Sequence, residues 1–150
     1  MKKLLIMLFG LSIATFSCNQ KNEANVAEVE TSPKEESHCY IYMNEKDLIK
    51  LQTFNDDGKI TGTLEYAFFE KDKSRGTING EMQGNLLVAD YKFESEGTVS
   101  VRQVAFKKTE DGMREGFGPI EEKDGKILLK SLDSLSFDNS FLLKEVPNQE

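Results

Sequence analysis

Arg102 is the side chain best placed to do chemistry in this sequence, because it interrupts an alternating, strand-like run, Thr98-Val99-Ser100-Val101-Arg102-Gln103-Val104-Ala105-Phe106. Successive side chains of a strand point to opposite faces. The apolar phase of this run changes midway, with Val99 and Val101 on one face and Val104 and Phe106 on the other. That pattern implies either a bulge near Arg102-Gln103 or a strand buried on both sides. On an unbroken strand with Val104 and Phe106 inward, Ser100 and Arg102 point inward too. An inward arginine needs a partner, since an unpaired buried charge is very costly. It then anchors an anionic ligand in a barrel mouth or forms a structural ion pair with Glu70, Glu96 or Glu115. The third reading is a solvated arginine on the outer face. Tyr66, Phe68, Tyr91, Phe93, Phe106 and Phe117 either line a cavity for a small apolar ligand or fill a core. The ligand-binding candidates are therefore Arg102, Tyr66, Tyr91 and Glu96.

Other constellations are weaker. His38 is the only histidine, and His38-Cys39 falls short of the three or four ligands that zinc requires. Asn55-Asp56-Asp57-Gly58 resembles a calcium loop in composition, but no glutamate stands twelve positions from its start and the glycine is misplaced. It reads better as a hairpin turn. No serine or histidine signature of a hydrolase, phosphate-cradling loop or H-E-x-x-H zinc motif is present. With 26 acidic residues, some pair of carboxylates is certain to be close, so acidity alone does not mark a glycosidase. The expectation is a protein that is not an enzyme and uses no catalytic residue, metal or cofactor.

The elements that must position Arg102 are strands. Apolar residues recur with period two, and Asp57-Gly58, Gly84-Asn85, Asp111-Gly112 and Asp124-Gly125 supply residues that tolerate positive φ in tight hairpins. Asn44-Glu45-Lys46 and Ser95-Glu96-Gly97 are weaker turns. Strands are predicted near 39–43, 47–54, 59–69, 76–84, 86–95, 98–109, 113–118, 126–131 and 140–146. Short connections make consecutive strands antiparallel. A meander of eight or nine such strands curls until its edges meet, so the fold class is all-β, an up-and-down barrel or strongly curved sheet. Ile60, Gly62, Leu64, Tyr66 and Phe68 share its apolar face, continued by Ile78, Gly80 and Met82 and by Leu87, Ala89, Tyr91 and Phe93. Glycines on that face permit the sharp coiling of a small barrel. Residues 132–139 break the rhythm and read as a helical turn or a lid-like loop.

The N-terminus is of another kind. Lys2 and Lys3 precede an apolar run, Leu4 to Ser17, that is too short to span a bilayer, which takes roughly 20 residues. It reads as a secretory signal. Thr15-Phe16-Ser17-Cys18 resembles the lipobox of bacterial lipoproteins, with small Ser17 before the cysteine that would carry the lipid. Thr15 and Phe16 depart from the usual aliphatic and small residues. The resemblance, which extends to small outer-membrane lipoproteins of Bacteroidota, implies cleavage before Cys18 and lipidation of its sulfur, with palmitate among the chains. Attachment is then stable, because it takes more than one buried chain. Gln20-Lys21-Asn22-Glu23 is similar to the short signal that sends some of these lipoproteins to the cell surface. Asp133-Ser134-Leu135 resembles their O-glycosylation motif, which makes Ser134 a glycosylation candidate.

Three segments follow: a signal peptide at 1–17, a lipidated cysteine with an acidic flexible tether at 18–37, and a β-barrel-like domain at 38–150. Loss of residues 1–17 removes Lys2 and Lys3 and no acid, so the formal charge moves from −7 to −9 over 133 residues. So acidic a chain is a poor binder of nucleic acid, whose affinity comes from Lys and Arg on phosphates. Its partners are the membrane through the anchor and either a small apolar ligand or a basic protein. Lipidation of Cys18 also leaves Cys39 without a disulfide partner, as a small buried hydrophobe or a free thiol. The expected role is binding, in the cell envelope, of a ligand or a protein, as small barrel lipoproteins that inhibit lysozyme do. The alternatives are an enzyme of envelope glycan or lipid, marked by a cleft with one carboxylate of raised pKa beside another, and a purely structural component.

Overall fold

The computed structural model describes residues 36–147, all strands and connecting turns. Cys18, the lipobox-like segment 15–18 and the expected export signal lie outside the described residues. Seven strands follow one another as an antiparallel meander: β1 (Glu36–Met43), β2 (Leu48–Asp56), β3 (Lys59–Ala67), β4 (Ser74–Gln83), β5 (Leu86–Ser95), β6 (Thr98–Thr109) and β7 (Gly112–Glu115). A short hairpin, β8 (Ile120–Lys123) and β9 (Lys126–Leu129), then leaves the ring, and β10 (Leu142–Val146) returns to it. β10 pairs with both β7 and β1, closing an eight-stranded barrel with two extra strands. The expectation of a closed antiparallel meander holds, and each ring strand pairs on both sides over at least part of its length.

The expected hairpin turns form where residues tolerate positive φ, at Asp57 (φ 49°), Glu96 (φ 50°) and Asp124 (φ 52°), each followed by a glycine. On β3, β4 and β5 the apolar residues predicted to share one face, among them Ile60, Leu64, Tyr66, Ile78, Leu87, Ala89 and Tyr91, do point inward. Tyr40, Ile49, Leu51, Ile60, Leu64, Tyr66, Ile78, Leu87, Ala89, Tyr91, Val104, Phe106, Met113 and Leu143 form one buried cluster. Tight coiling depends on small inward residues. A Cβ at Gly62 would overlap the carbonyl oxygen of Gln52, and one at Gly80 would lie 2.6 Å from the Ala89 Cβ.

Several element boundaries are corrected. The strand predicted over 113–118 ends at Glu115, because Gly116-Phe117-Gly118 turn away and Phe117 bridges Ser136 instead. Residues 120–123, which lie outside every predicted strand, form β8; its side chains are exposed throughout, so no alternation signalled it. Residues 132–139 form turns with that single bridge and no helix. The first strand also begins earlier than predicted, at Glu36.

Candidate ligand site at the open end of the barrel

β6 decides the site. Its ladder with β5 runs unbroken from Ser95↔Thr98 to Leu86↔Lys107, with no bulge at Arg102-Gln103. Arg102 is therefore in phase with buried Val104 and Phe106 and points inward; the outer-face reading does not hold. Both faces of the strand are covered midway, since the outward Ala105 is as buried as its neighbours. Of the outward residues behind the apparent change of phase, Val101 is half-buried and Val99 is exposed.

Inside the barrel, Arg102 meets aromatic faces. Its guanidinium carbon lies 5.0 Å from the ring centre of Tyr66, 5.4 Å from that of Tyr91 and 5.5 Å from that of Phe93. Tyr91 stacks on Phe93 at 4.7 Å and meets Tyr66 edge-on at 5.9 Å. These contacts lie within the range at which a cation is attracted to a ring face. They do not satisfy its hydrogen bonds: the Arg102 Nε is buried and has no partner, and Arg102 is in none of the four ion pairs found among the described residues.

Of the three proposed acidic partners, Glu115 is the one near Arg102. Glu70 and Glu96 sit exposed at turns in left-handed conformations (φ 56° and 50°). Glu115 is only 7 % exposed and accepts a 2.7 Å hydrogen bond from the Tyr66 hydroxyl. Burial pushes its pKa above the usual carboxylate value, while the Tyr66 bond and the Arg102 charge pull it back. Burial, with the Glu115 charge next in weight, raises the pKa of Tyr66 well above that of a free tyrosine, so Tyr66 stays a donor. Tyr91 is also shifted upward, chiefly by burial, and its hydroxyl lies 3.3 Å from the Ser74 Oγ.

Arg102, Tyr66 and Glu115 border open space. A cavity of about 260 Å³ at one end of the barrel is lined by Tyr66, Phe68, Arg102, Glu115, Phe117 and Phe141, with Lys71, Asp72 and Ser74 at its rim. That end carries the 44–47 and 68–73 loops. The opposite end, where β1 starts, is much tighter, with about 70 Å³ among Glu36, His38, Tyr40, Met82, Leu87 and Met113. The barrel is thus packed through its middle and open at one end. Phe106 belongs to the core, whereas Phe117, 54 % exposed, belongs to the opening.

The structure brings Arg102, Tyr66 and Tyr91 together and leaves Glu96 apart, at a hairpin tip. Ser134 is exposed, its hydroxyl donating to the Ser131 carbonyl at 3.1 Å. His38 and Cys39, as neighbours on a strand, face opposite ways. His38 lies between Glu145 (2.6 Å) and Glu36 (3.2 Å), and the Cys39 thiol is free and buried. Sequence reasoning missed the Tyr66–Glu115 bond. Its one visible signal was Glu115 standing in phase with Met113, a carboxylate where the alternation calls for an apolar residue. Comparison of the chain with protein-family models, with curated proteins and with solved structures finds no match.

Proposed function

We propose that this barrel binds, without transforming, a small organic anion with an apolar body, held at its open end by Arg102. The observation that carries this reading is a buried guanidinium nitrogen with no hydrogen-bond partner, beside three aromatic rings and next to a cavity. A carboxylate or sulfonate entering there gains a charge-assisted hydrogen bond and covers apolar ring surface at once. The lipobox resemblance supports a lipid anchor on Cys18. β1 begins at the tight end of the barrel, opposite the open end that carries Arg102.

The enzyme reading keeps one point in its favour, a buried carboxylate of raised pKa, Glu115. Its nearest functional groups are Tyr66 and Arg102, an arrangement that suits holding an anion better than a two-carboxylate hydrolysis.

The test is titration with an anionic environment-sensitive dye such as anilinonaphthalene sulfonate, with displacement by an alkyl carboxylate and by the alcohol of the same chain. The expected result is enhanced fluorescence, displacement by the carboxylate at a concentration at least about tenfold lower than the alcohol, and a comparable loss in Arg102→Met, as expected for a hydrogen bond to a charged group. Equal displacement by carboxylate and alcohol, or no dye binding by the native protein, overturns the proposal. For the anchor, replacement of Cys18 by alanine is expected to abolish fatty-acid labelling and release the protein from membranes.

A further inference from the structure

The barrel wall has a gap beside Arg102. On the side away from β5, β6 pairs with β7 only over 106–109 and with β9 only at Val101 and Arg102. Gly116 donates to the Ala105 carbonyl at 2.8 Å, so between the two pairings the stretch without a ladder partner is Gln103-Val104. A second cavity of about 180 Å³ fills this gap beneath the β8–β9 hairpin. The hairpin is pinned there by Lys126 to Asp90 at 2.7 Å and by the Leu129 amide to the Gln103 side chain at 3.2 Å.

Arg102, Glu115 and Phe117 line both this cavity and the one at the barrel end. The two differ in chemistry. Apart from Arg102 and Glu115, the side cavity has no charged residue in its lining, whereas the end cavity has Lys71, Asp72 and Ser74 at its rim. Three of the large apolar residues that the molecule leaves exposed, Phe117 (54 %), Ile120 (58 %) and Ile127 (40 %), border the side cavity. Apolar surface left exposed together marks an interaction site. Sites for small organic ligands typically hold roughly 300–1,000 Å³; neither cavity reaches that alone, and the two together do.

Resting on the anion-binding reading, we infer that the ligand is a single-chain amphiphile. Its anionic head lies at Arg102 facing the polar rim of the barrel end, and its alkyl chain leaves through the gap between β6 and β7, under the β8–β9 hairpin. The guanidinium sits where head and chain meet. Phe117, Ile127 and Leu129 cover the chain.

The chain lacks tryptophan, so a single tryptophan introduced into the full domain is a clean reporter. Ile127→Trp marks the side cavity and Phe141→Trp the barrel end, and each is titrated with decanoate brominated at its terminal carbon. Quenching is expected to be at least about twofold stronger in Ile127→Trp. A second measurement needs no tryptophan. In the native protein, affinity for straight-chain carboxylates is expected to rise about three- to fourfold per added methylene, and Ile127→Asn, which makes the side cavity polar without adding a charge next to Arg102, is expected to flatten that series. Equal or reversed quenching, or a series that Ile127→Asn does not change, overturns the path through the wall while leaving anion binding at Arg102 intact. Failure of every carboxylate to bind the native protein overturns the anion-binding reading itself.

Discussion

Replacing Arg102 with leucine separates two opposing effects that the structure sets against each other. The substitution removes the guanidinium from the faces of Tyr66, Tyr91 and Phe93, contacts worth about 0.5–2 kcal/mol each according to their exposure. It also removes a buried Nε without a partner, whose desolvation costs about 1–3 kcal/mol, and it places an aliphatic side chain among rings. Where Glu115 is protonated these effects offset, and the variant should lie within about 1 kcal/mol of the wild type. Where Glu115 is ionised the balance changes, because Arg102 is a positive charge that stabilises that carboxylate. Removing one partner of a fully buried pair costs about 3–5 kcal/mol; Arg102 is partly exposed at an open cavity, so about 1–2 kcal/mol is expected.

The sign follows from linkage. Burial raises the Glu115 pKa above 4.5 in the folded protein, so between the two values the folded state holds more protons and stability falls as pH rises. Loss of Arg102 raises the folded value further and extends that fall to higher pH. Urea unfolding near pH 4.5 and again at about pH 8 should therefore show the variant close to wild type in acid and weaker in base by about 1–2 kcal/mol, read as a lower midpoint concentration. Adding Glu115→Gln should remove most of the pH dependence. A stability loss that is the same at both pH values, or that grows toward acid, would refute the coupling of Arg102 to Glu115 and with it the electrostatic account of the site.

Tyr66→Phe deletes the hydrogen bond to Glu115 and should cost about 1–3 kcal/mol at about pH 8 and less near pH 4.5, measured by the same urea titrations; an effect independent of pH argues against a donor role for the Tyr66 hydroxyl. Gly62→Ala forces a Cβ into the Gln52 carbonyl and should cost more than about 2 kcal/mol, far above the few tenths expected at an open glycine. Cys39, 7 % exposed, should react with a maleimide slowly in the native protein and rapidly in denaturant, and equal rates would place it at the surface. In alkaline titration followed by tyrosinate absorbance, Tyr40 should ionise near pH 12, because burial first, and then Glu145 and Glu36, push it up to about 12; Tyr66 should stay protonated until the protein unfolds.

Most of the meander was legible because period-two alternation and positive-φ turn residues are local signals. Ile60, Leu64 and Tyr66 declare one face within a single strand, and Asp57-Gly58 declares the hairpin that pairs it. β8 was hidden for the same reason: Ile120-Glu121-Glu122-Lys123 packs no face, so it carries no alternation to read. Of the site, Arg102, Tyr66 and Tyr91 were visible as members of inward rows. Their meeting was not visible, and neither was the separation of Glu96 from them.

The sequence by itself determined what depends on neighbours along the chain: strand phase, turns, acidity and the signal-like N-terminus with Cys18. Tertiary structure alone decided that β6 runs without a bulge, that Arg102 therefore points inward, and that Glu115 rather than Glu70 or Glu96 stands beside it. It also decided that the wall parts at Gln103-Val104. The physical reason is that register and closure are properties of strand pairs far apart in sequence. The direction of one charged side chain depends on what the neighbouring strands leave for it to touch.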